Sequence, residues 1–492
     1  MYPCVFSYFT RGFPLLLKRS SQSAPSIIFF ALVGLTLYSL LWIEHVAAQT
    51  GSKSDVSAAT ALARASLPRG SVRDFGAAPS VPDGPLNEQL TEAVGTVFID
   101  GILIGWGSDQ DEALDVIADS KDPRLAWIIT DLLRFAPGRS ISQPLTEALE
   151  QLLKVEFNNF SSWHDATNRL IAWDIPAPPN YLTYKRSIFT SVLPEWEPIF
   201  VEGDIDWRIV SWGGVRIDDR AFDNTDDPCN CIPAADNPAV TDAKSATWLK
   251  NDDVVFGIVL NGEARAYPRQ IMEVREMVND TLGGRDLGIP YCTLCGSAQA
   301  WFTDRVPDGV ERPILRTSGL LSRSNKVMFD LNTYSVFDTF RGNAVTGPLA
   351  KKGVELSQAS VVTTTWGEWK KAYPETTVLE ERLALGRNFD FRNGRDADGP
   401  IFPIGDVDPR LPVQEDILGT VTASGTPVAF HVDSLIKVLD AGEKVEVENI
   451  EIVMDARGVR AIDKKGEDLG THQSFWFAWS QFYPETLLWP EI

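Results

Sequence analysis

Histidine, methionine and cysteine are scarce in this chain of 492 residues, at four, five and five. Basic residues are also short, 45 against 67 acids, giving a net charge of −22. That charge excludes nucleic-acid backbones and anionic lipid surfaces as partners of the main body, since both would repel it. Its ordinary role is a solvated, soluble surface. No phosphate loop, dinucleotide-binding glycine fingerprint or Gly-x-Ser-x-Gly elbow is present, so those reaction classes have no motif to rest on. The histidines stand apart from one another. His164, His431 and His472 each read as structural rather than as ligands. Cysteine is what remains for chemistry.

Cys4 lies in the leader and is set aside. The other four cysteines come in two tight pairs, CNC (229–231) and CTLC (292–295). The N-terminus argues for their compartment. Arg11, Lys18 and Arg19 precede the apolar run SIIFFALVGLTLYSLLWI (26–43), and small residues follow in VAAQT (46–50). That order is a signal peptide over 1–48 with cleavage after Ala48. Uncut, the same run is about long enough to span a bilayer as a single N-terminal anchor. Either way the remainder is expected outside the cytoplasm, periplasmic or secreted, with membrane contact confined to the N-terminal segment. An even number of cysteines in an oxidising compartment leans toward disulfides.

Apolar residues at 44% and charged residues at 23% are those of a globular protein. Residues 49–85, rich in Ala, Ser, Gly and Pro, read as a linker. Residues 86–195 read as helices. In DPRLAWIITDLLRF (122–135), Asp122 is a cap, Pro123 suits the first helical position, and Leu125, Ile128, Ile129, Leu132 and Leu133 form a stripe. QPLTEALEQLL (143–153) repeats the theme, a layout like a HEAT helical pair. From 196 the texture changes to short β runs, and VVFGIVL-NG-EARAY (254–267) reads as a type I′ hairpin. The fold expected is α+β: an N-terminal HEAT-like helical subdomain, offering a surface to a protein partner, followed by a β-rich domain over 196–492.

That β-rich domain reads as duplicated. WGEWKKAYPETTVL (366–379) returns as WFAWSQFYPETLLW (476–489), and NGEARAY (261–267) aligns by pattern with SGTPVAF (424–430). The copies cover about 250–380 and 412–492. The alignment lays CTLC on DARG (455–458), between two strands, so CTLC is expected at a β-hairpin turn. The helix N-terminus that lowers the thiol pKa in thioredoxin-type couples is missing there. Three readings stay open. Cys292 and Cys295 form a redox couple. Or Cys229, Cys231, Cys292 and Cys295 hold zinc or copper(I). Or both pairs are structural disulfides in a non-catalytic binding protein.

Several stretches carry a resemblance: WGGV (212–215), GIVLNGEARAYP (257–268), EMVNDTLGGRDLGIPYCTLCGSAQAW (276–301), SGLLSRSNKVMFD (318–330), FPIGDVDPRLP (402–412) and both Trp motifs. Over roughly 181–492 the chain resembles a bacterial and archaeal family known only as domain of unknown function 3179. The family has no established activity. Some of its members are catalogued as possible selenoproteins, which favours redox chemistry if the selenium falls on the CxxC. This chain departs from the family at two places. Arg275 stands where relatives commonly have His, and the CNC pair is usually missing from them. In a redox site Arg275 would lower a neighbouring thiol pKa, beside Glu276; in a metal site it is no ligand, and CNC would compensate. Glu276, Asn279 and Asp280 either line a pocket beside the CxxC or cap and turn the chain. Asp390, Asn393, Asp396 and Asp398 resemble a calcium loop, but their spacing does not fit an EF-hand.

Overall fold

The computed structural model describes residues 57–492 apart from 101, 103, 104, 137, 158–160, 225–228 and 385–399. The leader and the acidic loop with Asp390, Asn393, Asp396 and Asp398 therefore lie outside the described residues. Among the described residues there are twelve α-helices. None is long and apolar enough to cross a membrane.

The β-rich part is five small sheets of three to six strands in a five-bladed, propeller-like arrangement. The helices correct the expectation of a HEAT-like subdomain. Phe98, Trp127, Ile128, Leu149, Ile188 and Trp196 share one continuous core with Leu320, Val327, Phe329 and Val336. Those four sit on a sheet ordered Val210–Trp212, Leu315–Ser322, Asn325–Asp330, Val336–Phe337. The stripe read over 125–133 was too narrow. In the helix Ala126–Leu133 every residue but Leu132 is buried, so the helix is enclosed rather than layered. Lys185 donates to Asp131 at 2.6 Å and Tyr181 donates to it at 2.8 Å, which ties two helices together inside that core. Among the described residues the helices therefore do not form a separate HEAT-like subdomain. The stretch read as a linker is also partly built in: Ala58–Ala65 is a helix, Ser57 caps it, and Ala63 is buried against the C-terminal sheet.

Two sheets share one design. The order Val362–Thr365, Val254–Leu260, Glu263–Pro268, Thr377–Leu379 matches His472–Phe475, Asp416–Val421, Pro427–His431, Leu487–Trp489. In each, the last strand lies parallel to the second arm of the hairpin. Asn261 and Gly262 both take positive φ, as a type I′ turn requires. The second hairpin turns through a longer loop, closed by Thr422 N on Thr426 O. Trp369 and Trp479 are wholly buried, and each indole donates at 2.9 Å to a threonine seven residues on, Thr376 and Thr486. Each ring lies against a strand glycine, Gly257 or Gly419. A Cβ there would clash with the ring, 2.1 Å from a Trp369 carbon or 2.2 Å from a Trp479 carbon. Gly257→Ala and Gly419→Ala should each cost about 1–3 kcal/mol in urea unfolding. A loss near zero at both would mean the rings are free to move aside.

Candidate functional site

Cys292 ends the strand Arg285–Cys292, and the chain returns in Ser297–Ala298, with Cys292 opposite Ser297. CTLC is thus the turn of a short hairpin. Cys295 N donates to Cys292 O at 3.2 Å, and Gly296 takes φ 62 to close the turn. Cys292 and Cys295 form a disulfide, with Cα atoms 5.3 Å apart. Cys229 and Cys231 form a second, at 5.1 Å.

The two sulfurs of the first bridge differ in surroundings. Cys292 lines a cavity of about 180 Å³; Cys295 does not, and it is fully buried. Cys295 O accepts from Phe475 N at 2.8 Å, and the Phe475 ring packs on Gly296. Cys295 is therefore backed by the strand His472–Phe475, and its Sγ lies 3.8 Å from Ser324 O.

The cavity also receives Glu276, Thr293, Thr317 and Lys326. Glu276 follows the helix Arg269–Arg275 in a left-handed conformation, φ 48, which turns its side chain away from the helix axis. Its carboxylate accepts from Lys326 Nζ at 2.5 Å and from Thr293 Oγ1 at 2.8 Å. Both partners of this ion pair are largely withdrawn from water, with side chains 3% (Lys326) and 15% (Glu276) exposed. The remaining walls are apolar, among them Leu294, Leu320 and Phe402. A charged pair thus sits beside a disulfide in a space otherwise lined by hydrocarbon, where electrostatic effects are strengthened.

Other expected residues fall elsewhere. Arg275 is buried, its Nε donates to Leu383 O at 2.9 Å, and it is not among the residues lining the cavity. That hydrogen bond ties the end of the helix to the segment Glu381–Ala384. Asn279 and Asp280 are neither cap nor turn: both lie in the strand Met277–Leu282. Asn279 pairs its amide with the Leu315 backbone, and Asp280 accepts from Arg265 and Tyr267. His431 bridges Ser434 and Glu415, a structural role.

The four-cysteine metal site does not assemble, because each sulfur is bonded within its own pair. The one metal-like group among the described residues is Asp218 with Cys229 and Cys231, their ligand atoms within 4.8 Å of one another. It fits zinc or copper poorly. Disulfide sulfurs offer no thiolate, and Asp218 already accepts from Arg220 and from Ala234 N. Lys326 was missed at the sequence level. Its signal was a lysine in SNKVMF, a strand whose other residues are all buried.

Residues 229–471 match the model of the family described as Protein of unknown function (DUF3179), and through this segment the chain belongs to that family. The match begins at Cys229 and includes both cysteine pairs, Glu276 and Lys326. It leaves out the N-terminal helices. No curated protein matches the chain, and no solved structure does.

Proposed function

We propose that the Cys292–Cys295 bridge is a thiol–disulfide exchange centre of an exported protein. The observation that carries this reading is the cavity that brings the Glu276–Lys326 pair to Cys292 and leaves Cys295 covered. A partner dithiol of suitable shape enters there. One partner thiolate attacks Cys292 Sγ, the bridge breaks, and Cys295 leaves as a thiolate that takes up a proton. The partner's second thiol then displaces Cys292. The partner gives two electrons and two protons and becomes a disulfide; this protein ends with two thiols. The reverse sequence oxidises the protein and reduces a partner disulfide. Glu276 is placed to accept the proton of the incoming thiol, with Lys326 and Thr293 fixing its orientation.

The competing reading, a structural staple, has one observation in its favour: both cysteines belong to an apolar core with Phe340, Phe475 and Trp479. Loop entropy argues against it. A bridge between residues three apart closes a very short loop, worth about 2 kcal/mol, against about 5 kcal/mol for a loop of 100 residues. A staple also needs no cavity and no buried ion pair.

The test poises the full-length protein in glutathione buffers, then quenches with N-ethylmaleimide and maps each cysteine by mass. Reduction of the 292–295 bridge is expected while the circular dichroism of the fold is unchanged, with Cys292 labelled before Cys295. Glu276→Gln should slow the exchange on the order of 10²-fold near neutral pH. A bridge that opens only when the protein unfolds would establish the staple and end the exchange reading.

A further inference from the structure

A second cavity, of about 160 Å³, lies where the first copy meets the second. Its walls include Trp301, Phe340, Arg341, Gln358, His472 and Tyr483. Trp301 is 3% exposed and His472 is 1% exposed. Among the described residues, neither Trp301 Nε1 nor His472 Nε2 has a hydrogen-bond partner. A buried donor left unpaired is destabilising, so each such group calls for an acceptor. Other buried indoles of this protein are satisfied: Trp127 by Ile175 O, Trp196 by Ser318 O, Trp369 by Thr376 and Trp479 by Thr486. Trp301 departs from that pattern at the wall of a cavity.

The imidazole adds a second donor. Burial pushes the His472 pKa down to about 3, so the ring is neutral and carries one proton. The Gln358 amide nitrogen faces Nδ1 at 2.9 Å, which makes Nδ1 the acceptor and puts the proton on Nε2. Two residues lining the cavity thus each carry an N–H without an acceptor among the described residues. Arg341 supplies positive charge at the exposed rim, its guanidinium 5.5 Å from the Tyr483 ring centre. Phe340 and Tyr483 supply apolar walls, and a cavity of this size accepts a body about as large as benzene.

We propose that this cavity binds a small organic carboxylate, its oxygens taking the N–H groups of Trp301 and His472 and its apolar body lying against Phe340 and Tyr483. The proposal does not rest on any exchange reaction at the disulfide. The full-length protein is titrated with benzoate and phenylacetate, with benzamide as the uncharged control, and binding is followed by ligand-observed NMR. At least one carboxylate should bind with a Kd of about 1 mM or tighter. Benzamide should bind about tenfold more weakly, and Trp301→Phe should weaken the carboxylate about tenfold. Arg341→Gln, at an exposed position, should narrow the gap between acid and amide without changing the thermal midpoint. It decides the matter if Trp301→Phe fails to fold. Binding of neither carboxylate, or carboxylate binding indifferent to the variants, overturns the proposal.

Discussion

Arg316→Met is expected to remove about 3–5 kcal/mol of stability, the usual cost of breaking a buried ion pair from one side. Arg316 is fully buried, and its guanidinium donates to both oxygens of Asp236, at 2.7 and 2.5 Å. Its Nε stands 3.8 Å from Asp218, which is fully buried as well. Asp236 also accepts from Asn279 Nδ2, so the pair joins the strands Leu315–Ser322, Ala235–Asp236 and Met277–Leu282. Removing the cation leaves two carboxylates in the interior without it. Arg316→Lys should recover little, since an ammonium cannot grip both oxygens as the planar fork does. The double variant Arg316→Met with Asp236→Leu should recover part of the loss, because hydrocarbon tolerates burial without a partner. Urea unfolding of the three variants measures this. A loss under about 1 kcal/mol for Arg316→Met would show that water reaches the pair and that the sheets are joined by other means. Thr317 lies next to Arg316 and lines the disulfide cavity, so the same variant is expected to loosen that site.

Acid should destabilise the protein through His472. Burial alone holds its pKa near 3 in the folded state, against the usual 6.5. In the unfolded chain the ring takes a proton as pH falls through about 6.5, whereas in the folded protein it does not. The unfolded state therefore binds more protons between these limits, and stability falls as pH drops through that window. The stabilisation is intact above 6.5. The slope approaches about 1.4 kcal/mol for each pH unit in the middle of the window. Carboxylates add their own acid response, so the informative quantity is the difference between wild type and His472→Gln. The variant's stability should decline more shallowly from pH 6.5 to 4. Parallel curves would mean that the imidazole is protonated in place, and the tautomer argument for the second cavity would fall with it.

Legibility in the sequence followed how local each cause was. The Asn-Gly hairpin could be read because two adjacent residues set both φ angles. The Trp motif stood out because indole, glycine and threonine must meet in the same way in each sheet. CTLC at a turn came from laying one copy on the other. The helices misled for the opposite reason. Nothing in AWIITDLL says whether the polar side of the stripe meets water or another element, and here Asp131 faces Lys185. Arg275 and Lys326 show the same limit. Both are single cations beside the CxxC in the fold or in the sequence, and only the fold tells which one reaches Glu276. Lys326 arrives from the stretch between the CxxC and the first Trp motif, for which the second copy has no counterpart. The alignment of copies therefore had nothing to say about it.

The second copy is also not a spare of the first. Its strand His472–Phe475 covers Cys295, and His472 on the same strand walls the second cavity. Its own hairpin, Ile450–Asp455 into Gly458–Asp463, turns through Ala456 and Arg457 and holds no sulfur. One hairpin carries the Cys292–Cys295 disulfide, and the strand His472–Phe475 serves as its back wall. The amide proton of Phe475 therefore works as a built-in gauge: how slowly it exchanges with deuterium reports how firmly one repeat shuts the other's disulfide away from water.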